Sequence, residues 1–284
     1  MLEVKDVVKK FRRRTVLDGI SFCMDRGTYG LLGANGAGKT TLIRCITGLY
    51  RPDSGTVSWN GEDTGRPGKF QDSLGYLPQR LDALKDLKVR EYLRYFAELK
   101  GVDPVLAKKE IPEMLALLGL EEKAGSRVCS LSGGMIRRLG IGQALMGRPE
   151  ILIFDEPTAG LDPEERLRFK NIIAGLPEDT ITLISTHIVS DIEALCDKVI
   201  VMEKGRVKGV FSQEELCRQA EGKVYDIAAG QMGDILGSYR LVREYRDDSG
   251  GRIRFLSGEP QRWKPETPAL EDGYLWMVSE RSTT

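Results

Sequence analysis

The sequence predicts an α/β protein with a mainly parallel sheet, and three stretches predict it. The first is Gly30-Leu31-Leu32 followed by Gly33-Ala34-Asn35-Gly36-Ala37-Gly38-Lys39-Thr40-Thr41. It reads as a strand end, a glycine-rich loop and a helix start. The second, Ile151-Leu152-Ile153-Phe154-Asp155-Glu156, is apolar until it ends in two acids. The third, residues 180–186 (TITLIST), ends at His187, the single histidine of the chain. Continuously apolar strands suit a parallel sheet buried on both faces. Ligands bind at the carboxyl ends of such strands.

The glycine-rich loop fits the phosphate-loop pattern G-x-x-x-x-G-K-[ST], with Gly33, Gly38, Lys39 and Thr40 at the fixed positions. Small residues let the backbone curl so that successive N–H groups point at phosphate oxygens. Lys39 is expected to reach the β- and γ-phosphates and the Thr40 hydroxyl to hold Mg²⁺. The following helix, from Thr41 to a stop at Gly48, aims its N-terminus at the anion. The expected core is therefore that of a phosphate-loop NTPase.

Taken in order, residues 2–8 and 15–24 alternate apolar and polar positions and read as short strands of an N-terminal antiparallel β subdomain. The basic run Lys9 to Arg14 between them reads as a turn or loop. Phe11 within it is either a hairpin aromatic lying on the sheet or a stacking platform for adenine. Residues 55–60 read as a strand, the polar and glycine-rich residues 61–73 as a loop, and residues 74–79 as a strand stopped by Pro78. From residue 86 to 120 apolar residues recur at spacings of three and four, with helix stops at Gly101 and Gly119. This is a helical insertion, running from about residue 80 to 148. Within it, Ser130 or Ser132 can cap the helix that follows Gly133-Gly134.

At the end of the apolar strand, two carboxylates are costly to desolvate, so a cation is their natural partner. Asp155 fits an Mg²⁺ ligand and Glu156 a general base acting on water. The plainer alternative is an acid pair that caps the next helix. Asp162 precedes a helix over 163–175 with Pro163 in its first turn. His187 sits at the same sheet edge as Glu156 and the loop, which favours a functional role over a structural one. Residues 197–203 and 206–211 read as a hairpin around Lys204-Gly205. From residue 213 the chain mixes short strand-like and helix-like runs without a catalytic constellation, and reads as a small C-terminal α+β module ending at 284.

Bulk properties narrow the class. Lys plus Arg and Asp plus Glu both number 42, so the net charge is near zero. That disfavours duplex-DNA binding, and no nucleic-acid partner is expected. Five scattered cysteines without a C-x-x-C pair read as reduced thiols of a cytosolic protein. No apolar run approaches the ~18 residues needed to cross a bilayer, and no apolar signal segment opens the chain. A soluble protein is expected, with any membrane part supplied by another chain.

The order GANGAGKT, Gln79, LSGGM, ILIFDEP, AGLD and STH over residues 1–212 resembles the ATP-binding subunit of an ABC transporter. The details resemble the bacterial half-transporter ATPases of drug, antibiotic or lantibiotic export. Those details are Met135, the LGIGQALM and PTAGLDPEER stretches and the run Leu270 to Val278. The resemblance implies binding of ATP and Mg²⁺, with Gly33, Asn35, Gly36, Ala37, Gly38, Lys39, Thr40 and Thr41 around the phosphates. It implies that Phe11 stacks on adenine and that Gln79 senses Mg²⁺ and the attacking water. It implies that Ser132, Gly133 and Gly134 meet ATP held by a partner subunit, that Asp162 links the two sites, and that His187 touches the γ-phosphate. Many relatives have glutamine at position 135. The implied machine is a homodimer on the cytoplasmic face of the membrane, attached through a separately encoded permease. The alternative is a soluble ABC-type ATPase acting as a regulator or on nucleic acid or ribosomes.

Overall fold

The computed structural model describes residues 1–81, 83–248 and 250–278. These form two compact units, Met1–Val207 and Lys208–Thr284, so the division falls five residues before the expected boundary at 212.

The first unit opens with β1 (Leu2–Phe11) and β2 (Arg14–Met24), paired antiparallel. The expected loop over residues 9–14 shrinks to a turn at Arg12-Arg13, because Lys9, Lys10 and Phe11 continue the pairing with Leu17, Thr15 and Arg14. Lys10 and Arg14 are exposed there, and the largely covered Lys9 ammonium is satisfied by the Arg51 carbonyl at 2.7 Å and by Asp53. Next come β3 (Gly27–Leu32), α1 (Lys39–Ile46), β4 (Ser54–Trp59), the short β5 (Glu62–Asp63), α2 (Lys69–Asp72) and β6 (Leu74–Leu77). β5 and α2 lie where the sequence suggests only loop. Phe70 explains α2: it is buried and its ring lies 6.1 Å from that of Trp59, so tertiary packing outweighs the polar local sequence.

The insertion follows as α3 (Val89–Leu99), α4 (Pro104–Leu118) and α5 (Gly133–Leu145). Asp103 caps α4, its carboxylate accepting from the Val105 and Leu106 N–H groups at 2.8 and 3.3 Å. Gly119 ends α4 in the left-handed region, and Arg138 of α5 donates to the Leu118 carbonyl at 2.6 Å. Of the two candidate caps for α5, Ser132 serves, accepting from the Met135 N–H. The chain then forms β7 (Ile151–Asp155), α6 (Pro163–Ala174), β8 (Ile181–Thr186), α7 (Val189–Leu195), β9 (Lys198–Glu203) and β10 (Arg206–Ser212).

Two sheets result. One has the order β2-β1-β4-β5, antiparallel throughout. The other has the order β10-β9-β3-β8-β7-β6, and its four neighbouring pairs from β9 to β6 are parallel. β7 and β8 are buried at every residue, which is why Ile151 to Phe154 are continuously apolar, while β8 interleaves Ile181, Leu183 and Ile184 with buried hydroxyl residues. Register aligns the strand ends. Leu32 pairs with Thr186, Asp155 with Ser185 and Leu77 with Phe154. The segments that leave β3, β8, β7 and β6 therefore emerge together along one edge.

The second unit contains α8 (Gln213–Arg218), β11 (Val224–Ala228), β12 (Tyr239–Asp247), β13 (Gly250–Ser257) and α9 (Leu270–Met277). Its sheet has the antiparallel order β11-β13-β12. Tyr225, Ile227, Ile253 and Phe255 form an apolar cluster on it. Beside them Arg254 and the fully buried Asp272 form an ion pair at 2.6 Å, and the same carboxylate accepts from the Ala269 N–H at the start of α9.

Gly75 on β6 marks a close approach of α5 to the sheet, since a Cβ there would lie 2.1 Å from the Ala144 carbonyl oxygen. Gly75→Ala should cost about 1–3 kcal/mol through overpacking. Thermal unfolding checks this, and an unchanged midpoint would contradict it.

Candidate functional site

The loop between β3 and α1 turns back through the Ala37 N–H, which donates to the Ala34 carbonyl at 3.1 Å. Gly38 enters the helix with φ at 106°, a conformation that favours glycine. The Gly205 N–H from the β9–β10 turn donates to the Ala37 carbonyl at 2.9 Å and braces the loop from outside. Lys39 opens α1 and is buried, while Thr40 and Thr41 beside it are half-buried. Its ammonium folds back over the loop and donates to the Gly33 carbonyl at 2.6 Å. Asn35 and Gly36 stand exposed at the rim of the loop.

The carboxyl ends of β7 and β8 bring three more groups to Lys39. The Glu156 carboxylate, 4% exposed, meets the Lys39 ammonium at 3.1 Å through Oε1 and the His187 Nδ1 at 2.9 Å through Oε2. Glu156 has φ at 50°, in the left-handed region, an unusual conformation for a side chain of this size. Strain of this kind persists only where the surroundings hold it. Here the Glu156 N–H is held by Ser185, through its hydroxyl and its carbonyl, each at 3.1 Å. Asp155, fully buried, accepts from the Ser185 hydroxyl at 2.6 Å through Oδ1. Its Oδ2 has no hydrogen-bond partner among the described residues.

That orphaned oxygen is the test of fit for a divalent cation. A buried, unpartnered carboxylate oxygen is costly, and a hard cation with oxygen ligands removes the penalty. The donor set of Asp155 and the Thr40 hydroxyl suits Mg²⁺.

The remaining predicted site residues lie elsewhere. Gln79 is exposed two residues beyond β6, on the same sheet edge, and its carbonyl accepts from Arg137. Phe11 ends β1, 41% exposed, with its ring edge-on to Tyr50 at 5.5 Å. The Lys9 ammonium lies over the same ring, 5.6 Å from its centroid, so Phe11 packs against two neighbours while part of it stays exposed. Ser132, Gly133 and Gly134 open α5 on the insertion. Among the described residues no hydrogen bond or ion pair joins them to the Lys39 cluster. The Asp162 carboxylate caps α6, accepting from the Glu165 N–H at 2.9 Å.

Two residues at this edge have no part in the sequence reading. Ser185 links Asp155 to the Glu156 backbone, and its signal is a hydroxyl at a wholly buried strand position. Arg137 donates to backbone carbonyls on both β6 and β7 exits, and its signal is a charged pair, Arg137-Arg138, in an otherwise uncharged helix. Burial pulls the Arg137 pKa down, and the Asp155 and Glu156 charges push it back up. Burial also raises the Tyr76 phenol to about 12, with the Asp155 charge adding to the effect.

The ABC transporter family matches residues 17–159. Linearmycin resistance ATP-binding protein LnrL of Bacillus subtilis strain 168 is 36% identical over 78% of this chain and 72% of its own length. Nod factor export ATP-binding protein I of Rhizobium sp. strain N33 is 33% identical over 98% of this chain and 96% of its own. A solved structure of the ATP-binding subunit of an ABC transporter is 31% identical, with a TM-score of 0.71 over 77% of this chain and 92% of that one. A dimeric ATP-binding cassette, MJ0796, bound to ADP and Pi shares the fold at 22% identity, with a TM-score of 0.67 over 75% of this chain and 98% of that one.

Ser185→Ala removes a hydrogen bond to a charged group, worth about 1.5–3 kcal/mol. The expected outcome is a lower denaturant midpoint and a higher Mg²⁺ requirement for nucleotide binding. Titration of both properties checks it, and wild-type values for both would remove Ser185 from the metal site.

Proposed function

The chain belongs to the ABC transporter family and is an ATPase subunit of that kind, and we propose that it drives export through a separately encoded membrane permease as a head-to-tail homodimer. The observation that carries the mechanistic reading is the contiguous arrangement of Lys39, Glu156 and His187 beside the unpartnered Asp155 oxygen. Export is supported by the names of the relatives, a Nod factor exporter and a resistance protein. Peripheral attachment is supported by the absence, among the described residues, of any helix long and apolar enough to cross a membrane.

The proposed sequence of events begins at Lys39. Lys39 is shared between the loop carbonyl of Gly33 and the Glu156 carboxylate. Phosphate oxygens in the loop compete for that ammonium with charge-assisted hydrogen bonds. Withdrawal of Lys39 frees Glu156 Oε1 to accept a proton from water as the water oxygen attacks the γ-phosphorus and ADP leaves. His187, on the other carboxylate oxygen, orients Glu156. Thr40, Asp155 and Gln79 would hold Mg²⁺, which neutralises charge developing on the phosphate oxygens when bound. Phe11 receives the adenine ring.

On this reading the γ-phosphate is also met by Ser132, Gly133 and Gly134 of a second copy, where Ser132 and Gly133 are exposed at the start of α5. Asp162 would then connect the two sites. The nucleotide joins the halves, and hydrolysis releases them. Gln79 and the insertion transmit that motion to the permease.

Glu156→Gln should retain ATP binding, trap the closed dimer and slow hydrolysis by at least ~10², the scale expected for losing a general base. Phosphate-release kinetics check this, and unchanged turnover removes Glu156 from the role. Lys39→Ala should instead weaken nucleotide binding itself, read by equilibrium titration. For the transport reading, the tagged protein is to be purified from detergent-solubilised membranes of its host. A polytopic membrane protein in near-equal amount is expected, and a soluble protein alone or on ribosomes would overturn the reading.

A further inference from the structure

We propose, building on the ATPase reading above, that Arg137 is a positioning residue that holds the Gln79 segment and the Glu156 segment as one piece. All five N–H groups of its guanidinium are used, and every acceptor is a backbone carbonyl. Nε donates to Pro157 at 3.0 Å. Nη1 donates to Pro78 at 3.0 Å and to Gln79 at 3.1 Å. Nη2 donates to Asp155 at 2.9 Å and to Glu156 at 2.5 Å. The planar fork of arginine carries these five donors in fixed directions, an arrangement that lysine with three cannot reproduce.

Three separate parts of the chain meet on this one side chain. Arg137 stands on α5, one turn after the Ser132 cap. Pro78 and Gln79 leave β6, and Asp155, Glu156 and Pro157 leave β7. β6 and β7 pair only as far as Leu77 and Phe154, so beyond that register the sheet no longer ties the two exits together. Arg137 takes over where the backbone ladder stops. It also grips the Glu156 carbonyl at the residue whose φ is 50°, opposite the Ser185 contacts to the Glu156 N–H. The peptide group on either side of Glu156 is therefore clamped, and Arg137 supplies the clamp on the carbonyl side. Displacement of the Gln79 segment loosens the same guanidinium that holds the general base. Arg137 touches no reacting atom and acts through Glu156.

The test uses the purified full chain as wild type, Arg137→Met and Arg137→Lys, each also combined with Glu156→Gln. Hydrogen exchange at the amides of Gln79, Arg80, Thr158 and Ala159 should speed up together in Arg137→Met, and less in Arg137→Lys. ATP turnover in Arg137→Met should fall roughly 10- to 100-fold, the scale of a small misplacement of a reacting group. Nucleotide affinity should stay within about twofold, as for a loss confined to the transition state. In the Glu156→Gln background, Arg137→Met should cause no further loss. Unchanged exchange in both segments overturns the proposal, as does an equal loss of turnover in both backgrounds. Should Arg137→Met fail to fold, Arg137→Lys decides by the same two readouts. Wild-type turnover in Glu156→Gln alone overturns the general-base reading instead, and the exchange data then decide the role of Arg137 by themselves.

Discussion

A carboxylate and an ammonium buried side by side set the terms for the rest of the first unit. Lys39 and Glu156 are both almost wholly buried and lie 3.1 Å apart. A charge in such a place must be compensated, because its desolvation is worth several kcal/mol. Neither residue can be moved independently, and each is fixed by a strand end. Lys39 follows the loop that leaves β3, and Glu156 follows β7. The register that aligns those exits across β8 is what makes the pair possible. The parallel sheet thus works as a ruler, and the charge pair is its reading. In the proposed mechanism, anions entering the loop change the partner of Lys39 without removing the need for one.

Much of this edge was legible in the amino-acid order. Lys39, Asp155, Glu156 and His187 are each attached to a strand end that apolar runs and turn residues reveal. The expectation of an α/β core with a parallel sheet and a β subdomain agrees with the observed order of strands and with the fold of the solved relatives. Less legible was anything decided by tertiary packing. Phe70 draws a polar stretch into a helical turn because a pocket beside Trp59 receives it. The β1–β2 pair extends through the basic run because an exposed ladder does not penalise charge. Arg137 and Ser185 escaped for a related reason. Their partners are backbone atoms and a carboxylate that lie 18 to 59 residues away along the chain, and no local pattern encodes such a meeting.

The second unit solves a different problem. Its three-stranded sheet carries a small apolar cluster, and a buried ion pair stands beside it. Arg254 also donates to the Thr267 carbonyl, and Asp272 accepts from the Ala269 N–H as well. The charges are thereby satisfied on several sides, the condition under which a buried pair is tolerated. The pair ties the middle strand β13 to the start of α9.

The left-handed backbone at Glu156 places two demands on one residue in opposition. The conformation suits glycine or asparagine, and a larger side chain is held there at a penalty of about 1–2 kcal/mol. The proposed mechanism requires a carboxylate at the same position, which glycine and asparagine lack. On that reading any change that relaxes the main chain at 156 removes the group assigned to act on water. Under that proposal folding stability and turnover cannot be improved together at this residue, and a search for hardier forms of this protein that ignored its activity would be drawn to it.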